Sequence, residues 1–247
     1  MISLALTRYS LHNLRQRALR SMLTILSVMI GIAAITALVS FGNGISSYVG
    51  DIAQKMGNDK LMIQPRGFGF GPALYSNVKL DEEDVKAIEM VNGIEEATGT
   101  YVLNGEVESN KQKKYAYIMA NDFKEHPKLV EEVYTLKLTE GSQFRGNEKN
   151  KVILGYNYRL PDKIFKKPLK LRDNILVNGH EMQIAGFYEE VGNPQDDSNV
   201  YITNKAAEDL FKADNFQFIL ARTSPGQVPT SVAKEVEREL RRHRNQK

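Results

Sequence analysis

The sequence predicts an α+β protein in two parts: an N-terminal transmembrane helix, and an extracytoplasmic domain of mixed helices and strands with a β-rich lobe set into it. Three observations predict this. From Ser21 to Gly50 there is no Asp, Glu, Lys or Arg. Beyond Asp51, helix and strand signals mix without the βαβ rhythm of a doubly wound sheet. From about Leu138 the texture changes to short β segments bounded by turn residues. The 247 residues suffice for one or two domains with a sizeable core. With 42% hydrophobic and 26% charged residues, the chain is neither disordered nor low-complexity. It has no cysteine, which removes disulfides, thiolate metal sites and cysteine nucleophiles. The mean hydropathy of −0.38 is that of an ordinary soluble protein and conceals the uncharged run.

Residues 1–20 contain Arg8, Arg15, Arg17 and Arg20 and no acid. Leu4, Thr7, Leu11, Leu14 and Ala18 fall within about 80° on one helical face, as expected of a cytoplasmic helix lying in the membrane interface. Residues 21–44 read as the span. Met22 to Phe41 alone gives about 30 Å of helix, the thickness of a bilayer core. Signal-peptide apolar cores are shorter, about 7–15 residues, and no A-x-A site follows this one. Four of the 33 basic residues precede the span, so 29 basic residues face 30 acids in the rest of the chain. The positive-inside rule therefore puts the N-terminus in the cytoplasm and residues 45–247 outside. Arg8, Arg15, Arg17 and Arg20 are the topology-determining residues in this reading. Ser27, Gly31 and Ala34 recur at spacings of four and three and are candidates for close packing against another helix.

Ile45 to Lys55 is compatible with a helix continuing outward, and Lys60–Gln64 with a strand stopped by Pro65. Arg66 to Pro72 (RGFGFGP) reads as a turn-rich loop, since its G-x-G-x-G spacing is not a dinucleotide fingerprint. Asp81 caps a helix with inner residues Val85, Ile88 and Val91, ended by Asn92-Gly93. Tyr101–Glu108 and Lys114–Ala120 read as paired strands, followed by a helix from Asp122 to Val133. Strands are expected at Lys151–Leu154, Ile175–Val177 and Glu181–Phe187, the last two joined by an Asn178-Gly179 hairpin turn. Val200–Thr203 leads to a helix capped by Asn204. Phe216–Ala221 is an apolar strand, and Val228 to Arg244 is a closing amphipathic helix. The boundaries drawn are 45–135 with 198–247 for the main lobe and 136–197 for the inserted one.

The sequence offers no catalytic, cofactor-binding or metal constellation. It has no nucleophile elbow, HExxH, Walker loop or EF-hand loop. His12, His126, His180 and His243 are scattered without ligand spacing. Glu131-Glu132 and Asp196-Asp197 read as solvated surface acids. The basic cluster Arg238, Arg241, Arg242 and Arg244 fits an outer-surface helix near lipid headgroups better than nucleic acid, given the inferred topology.

The stretch from Leu4 to Ile45 resembles the start of MacB-type ABC transporter permeases. The matching residues are Asn13-Leu14-Arg15, Arg20, Leu23-Thr24, Gly31-Ile32, Ala37-Leu38, Gly42 and Gly44. Asn58 through Pro65 looks like the family's first strand, and Leu80 through Val91-Asn92-Gly93-Ile94 like its first helix and turn. Glu140-Gly141 with Lys151-Val152-Ile153-Leu154-Gly155 is similar to its E-G-R…V-V-L-G segment. Ile175, Asn178-Gly179 and Gln183-Ile184-Ala185-Gly186 resemble I-x-I-N-G…F-x-V-x-G. The resemblance implies a porter-like α/β lobe with an inserted β lobe outside the membrane. It also implies a permease moving a toxin, peptide, antibiotic or lipid-linked substrate by export or mechanotransmission. The partners implied are a cytoplasmic ABC ATPase subunit using ATP and Mg, a second permease copy and membrane lipid, with no nucleic acid.

The sequence stops at LRRHRNQK, about where a relative enters its last strand and second membrane helix. The expectation is therefore a fragment, a truncated frame or the N-terminal piece of a split permease, with no enzymatic activity of its own. Two other readings stand beside it. One is a stand-alone anchored binding or adaptor module, although no sustained heptads occur for an adaptor's coiled-coil hairpin. The other is an anchored enzyme, which requires a deep polar pocket with convergent ionisable groups.

Overall fold

The computed structural model describes residues 2–65 and 79–244. It falls into two units, residues 1–54 and 55–247. The first is almost entirely one helix, α1 (Ile2–Met56), unbroken through the boundaries at 20/21 and 44/45 that the sequence reading drew. Uncharged and apolar from Met22 to Tyr48, it carries no Pro to stop it. The Arg66–Pro72 loop lies outside the described residues.

The second unit opens with β1 (Lys60–Ile63), α2 (Glu82–Glu89), β2 (Ile94–Ser109) and β3 (Gln112–Asn121). Then come α3 (Pro127–Tyr134), β4 (Leu138–Gly141), β5 (Lys151–Leu154), β6 (Asn174–Val177) and β7 (His180–Tyr188). It closes with β8 (Val200–Thr203), α4 (Asn204–Phe211), β9 (Phe218–Thr223) and α5 (Pro229–His243). β9 lies between β1 and β2 and runs antiparallel to both. β1 and β2, joined through α2, are therefore parallel with one strand between them.

The remaining strands close on themselves. β2 pairs with β3, β3 with β8, β8 with β5, β5 with β7, β7 with β6, and β6 returns to β2 at Val107 and Glu108. This is a six-stranded ring, with β4 added along the end of β7. The β-rich segment 136–197 is thus hydrogen-bonded into the same sheet as the flanking segments. Alternation along the strands sorts the side chains into two cores, as a period of two requires. Ile118, Val152, Leu154, Ile175, Val177, Met182, Ile184, Val200 and Ile202 belong to the first, together with residues of α2 and α5. Met119, Ile153, Tyr188 and Tyr201 belong to the second, under Leu129, Val130 and Val133 of α3.

Local chemistry explains the elements and the corrections to them. Asp81 caps α2 through Glu83 N (3.0 Å) and Asp84 N (3.1 Å), and Asp84 returns a bond to Asp81 N (2.9 Å), a capping box. Asn178 and Gly179 take φ of 47° and 80°, as the Asn-Gly hairpin requires. α3 starts at Pro127 rather than Asp122, because the Asp122 carboxylate accepts from Lys124 N (2.9 Å) and Glu125 N (3.0 Å) in a turn. The α4 cap is Thr203, whose hydroxyl accepts from Ala206 N at 3.1 Å. Asn204 is the first helical residue and donates instead to Gly99 O at 2.9 Å. β2 begins seven residues earlier than Tyr101, through a stretch whose buried Thr98 and Thr100 break the apolar alternation. β9 is shifted to Phe218–Thr223, with Phe216 left in an isolated bridge to Leu80.

Candidate functional site

The first candidate is the surface of α1. Between Met22 and Tyr48 every described side chain is exposed, including Leu23, Ile25, Leu26, Val28, Ile30, Ile32, Ile35, Leu38 and Phe41. Burying one such side chain is worth about 1.5–3 kcal/mol, so this face left in water is unfavourable by tens of kcal/mol. The 27 residues make about 40 Å of helix, enough to cross a hydrocarbon core of about 30 Å. The hydroxyls are satisfied internally: Thr24 Oγ1 donates to Arg20 O and Ser27 Oγ to Leu23 O, each at 2.9 Å. The helix therefore offers its surroundings no unpaired group from these side chains, as a lipid solvent demands. Ser27, Gly31 and Ala34 are exposed, and a Cβ built on Gly31 meets nothing within 4 Å. Arg8, Arg15 and Arg17 lie along the helical backbone, and Arg20 is exposed.

The second candidate is the corner where the chain enters the sheet. Only Gly57, Asn58 and Asp59 separate α1 from β1 in the chain, and Gly57 takes a φ of +86°, a backbone that favours glycine. Asp59 O accepts from Thr223 N (2.7 Å) and Thr223 Oγ1 (3.2 Å) at the end of β9. Lys60 Nζ sits 2.7 Å from both Asp59 Oδ1 and Glu132 Oε2, with its side chain 6% exposed. Arg222 Nε donates to Glu96 Oε1 at 2.8 Å, and its other nitrogens lie 3.1 Å from Glu132 Oε2 and 3.7 Å from Asp59 Oδ2. His126 Nδ1 is 2.9 Å from Glu96 Oε2. The Lys60 hydrogen bond outweighs burial and, with the Arg222 charge, holds the Glu132 carboxyl below its ordinary range. Burial raises the Asp59 carboxyl, but the Lys60 bond and the Lys60 and Arg222 charges bring it below the usual value. One polar knot thus ties β1, β2, β9 and the helix α3 together.

Sequence reasoning missed this knot and misjudged its acids. Glu132 belongs to it, and Glu131 accepts from Gln143 Nε2 at 2.8 Å, so this pair is not simply solvated surface. Asp197 is buried and accepts from Val191 N (2.7 Å) and Gly192 N (3.2 Å), organising the loop before β8. The one available signal was a charged residue inside an apolar strand, Arg222 in FILART. Three of the four arginines in the basic cluster of α5, Arg241, Arg242 and Arg244, are likewise paired. Arg241 and Arg242 meet Glu237 and Glu239, each at 2.8 Å. Arg244 forms a two-pronged contact with the buried carboxylate of Asp84, Nε to Oδ1 at 2.8 Å and Nη2 to Oδ2. Among the described residues no cluster of three His, Asp or Glu is placed to hold a metal ion.

The chain thus combines an uncharged apolar helix, exposed from Met22 to Tyr48 and long enough to cross a membrane, with an α+β domain that begins within three residues of the helix end. The MacB-like periplasmic core domain profile matches residues 21–239. The chain belongs to that family. It is 27% identical over 240 residues to the uncharacterized ABC transporter permease MJ1507 of Methanocaldococcus jannaschii, covering 95% of this chain and 57% of that protein. It is 28% identical over 200 residues to the uncharacterized permease YvrN of Bacillus subtilis, covering 74% of this chain and 46% of that one. The chain therefore spans about half the length of the curated relatives it matches. Its fold is similar to the periplasmic region of MacB from Actinobacillus actinomycetemcomitans, with a TM-score of 0.61 at 16% identity, over 77% of this chain and 86% of that one.

Proposed function

We propose that the chain is the N-terminal portion of a permease subunit in an ABC-type export or mechanotransmission complex. α1 crosses the cytoplasmic membrane with residues 1–20 in the cytoplasm and the domain outside. A separate ATPase, using ATP and Mg, supplies the energy, and a second permease copy completes the membrane assembly. The substrate is a toxin, peptide, antibiotic or lipid-linked molecule. The chain itself contributes motion rather than chemistry.

The observation that carries this reading is the junction after α1. A membrane helix that shifts along or across the bilayer pulls directly on β1, because three residues leave little slack. β1 alone is a four-residue strand with one partner. The Lys60–Glu132 and Arg222–Glu96 pairs spread that load to β2, β9 and α3. A displacement at the helix end is thereby delivered to the sheet instead of unzipping its edge strand.

The absence of native cysteine makes the topology test clean. Tyr115 is 84% exposed on β3, so Tyr115→Cys presents a reporter thiol on the domain, and Ser10→Cys presents one in the N-terminal segment. In intact cells a membrane-impermeant maleimide should label Tyr115→Cys at once and Ser10→Cys only after lysis. The opposite pattern, or equal labelling of both, rejects the orientation. Recovery of the solubilised chain in a stable complex that contains no ATPase would instead support an anchored binding module.

A further inference from the structure

β8 pairs with Ile118–Asn121 and leaves the Gln112–Tyr117 half of β3 without a strand on that edge, so the ring is open there. Ser109 and Gln112 pair across a two-residue turn, which makes them a hydrogen-bonded pair of the β2–β3 hairpin. By the alternation of an antiparallel ladder, Lys113 and Tyr115 turn their backbone N–H and C=O groups away from β2, toward the open edge. Among the described residues no loop backbone bonds to either of them.

The two faces of this edge differ in chemistry. Gln112, Lys114 and Ala116 alternate on one face, the side on which Ile118 joins the first core. Residues 163–167 pack on that same side. Phe165 is part of that core, Ile164 packs against it, and Lys166 N donates to Gln112 Oε1 at 3.1 Å. Lys114 and Lys163 border one cavity of about 170 Å³ beside the edge, and no acid lines it. Lys114, Lys163, Lys166 and Lys167 are all exposed, and among the described residues none of the four meets a carboxylate. From Leu160 to Arg172 the sequence holds five cations and one acid, Asp162. Lys113, Tyr115 and Tyr117 lie on the opposite face. Lys113 is held there by Glu106 at 2.8 Å and Glu108 at 3.6 Å, and Tyr115 is 84% exposed. One face of the edge is thus positive, and the other offers neutralised charge and aromatic surface.

Lysines on a free edge reject a like-charged strand, and a second copy would bring its own lysines against these. The same edge accepts a strand whose acids face Lys114 and residues 163–167 while its apolar side chains lie on Tyr115. We propose that the open half of β3 is a docking edge for an extended segment of a partner protein in which acidic and apolar residues alternate. The segment adds to the sheet in line with β8 and hydrogen-bonds to the main chain of Lys113 and Tyr115. The proposal does not rest on the transport reading, and its test measures binding alone.

The full chain in detergent micelles is titrated into an end-capped, fluorescein-labelled peptide, Glu-Val-Glu-Val-Glu-Val-Glu, and anisotropy is read. A second peptide carries the same residues with the glutamates in one block. The alternating peptide should bind at least about ten-fold more tightly, since alternation alone puts every acid on the lysine face. Lys163→Glu should weaken it by at least about ten-fold, because attractive cross-strand pairs become repulsive. Lys234→Glu, the same charge change at an exposed position of α5, should leave it unchanged. Both side chains are exposed, so both variants should fold. Methylating the backbone nitrogens of the valines or of the glutamates should abolish binding for one set alone, since an added strand turns alternate residues toward its neighbour. Equal affinity for the two peptides overturns the proposal, in favour of a surface for any polyanion. No binding, an unaltered affinity in Lys163→Glu, or the same effect from both methylations also overturns it. So does loss of a self-associated form of the chain as peptide is added, in favour of a second copy on this edge.

Discussion

Replacing Arg222 with methionine tests whether the polar knot holds β1. Methionine keeps much of the aliphatic stem and removes the guanidinium. Three carboxylates, Asp59, Glu96 and Glu132, then share one ammonium, Lys60, and the imidazole of His126. Breaking a fully buried pair costs about 3–5 kcal/mol and an exposed one about 0–1 kcal/mol. Arg222 is 16% exposed and Glu96 23%, but Asp59 and Glu132 are 43% and 44% exposed and are screened by solvent. The Glu96 contact therefore dominates, and the expected loss is about 2 kcal/mol. For a domain of this size that lowers the melting temperature by about 4–8 °C. Calorimetry of the full chain in detergent measures it, because the chain has no tryptophan for fluorescence. A double-mutant cycle with Glu96→Gln should return a coupling of about 1 kcal/mol. Lys79→Met is the control, since its contact to Asp214 is 3.9 Å between groups more than two-thirds exposed. If Arg222→Met melts no lower than Lys79→Met, or the cycle shows no coupling, the knot does not carry the junction.

Gly141→Ala should destabilise the β4–β7 pairing by about 3 kcal/mol, because strain at positive φ adds to overpacking. Gly141 has φ +94°, and a Cβ there would lie 2.1 Å from Ala185 O, a backbone atom that cannot step aside. A denaturant midpoint unchanged from wild type would contradict that geometry. Asp84→Asn should destabilise at neutral pH through loss of the Arg244 contact. Burial raises the Asp84 carboxyl, but the Arg244 bond and the Asp81 N–H bring it below its ordinary value. A depressed folded pKa gives stability that is complete above the unfolded carboxyl's range, about pH 4, and is lost as pH falls through the folded value. The difference between wild type and Asp84→Asn should therefore narrow below about pH 4. A difference constant from pH 7 to pH 2.5 would sink that assignment.

What could be read in advance was whatever composition or short-range geometry decides. Apolar character sums over one continuous run, so the uncharged helix from Met22 to Phe41 was legible without any knowledge of neighbours, and the structure continues it to Tyr48. Lys151–Leu154 and Val200–Thr203 were legible to the residue because each is a short apolar run between turns, and the Asn178-Gly179 turn because few residue pairs accept its backbone. The ring closure was not legible. It depends on β6 meeting β2 across some seventy residues of sequence, and nothing in the NILV of β6 names the partner. Glu132 and Asp197 were misread for a related reason. An acid is surface by default, and only a partner distant in sequence, such as Arg222 for Glu132, or the buried turn around Asp197, makes it structural.

The knot at Lys60 and Arg222 and the pair Asp84–Arg244 have a common logic. Each sits where a strand or helix terminus is tied to a distant element: β1 through Lys60 to α3, and the last turn of α5 through Arg244 to the start of α2. An apolar contact at such a place resists separation but tolerates sliding, because dispersion has little directionality. The Arg244 guanidinium, held by both carboxylate oxygens of Asp84, resists both because each donor has a fixed direction, and at the knot Lys60 and Arg222 each meet more than one carboxylate. If α1 moves as proposed, resistance to sliding at the Lys60 and Arg222 ties would carry a helix displacement into the sheet. Charge sits at these ends, and apolar residues fill the ring between them.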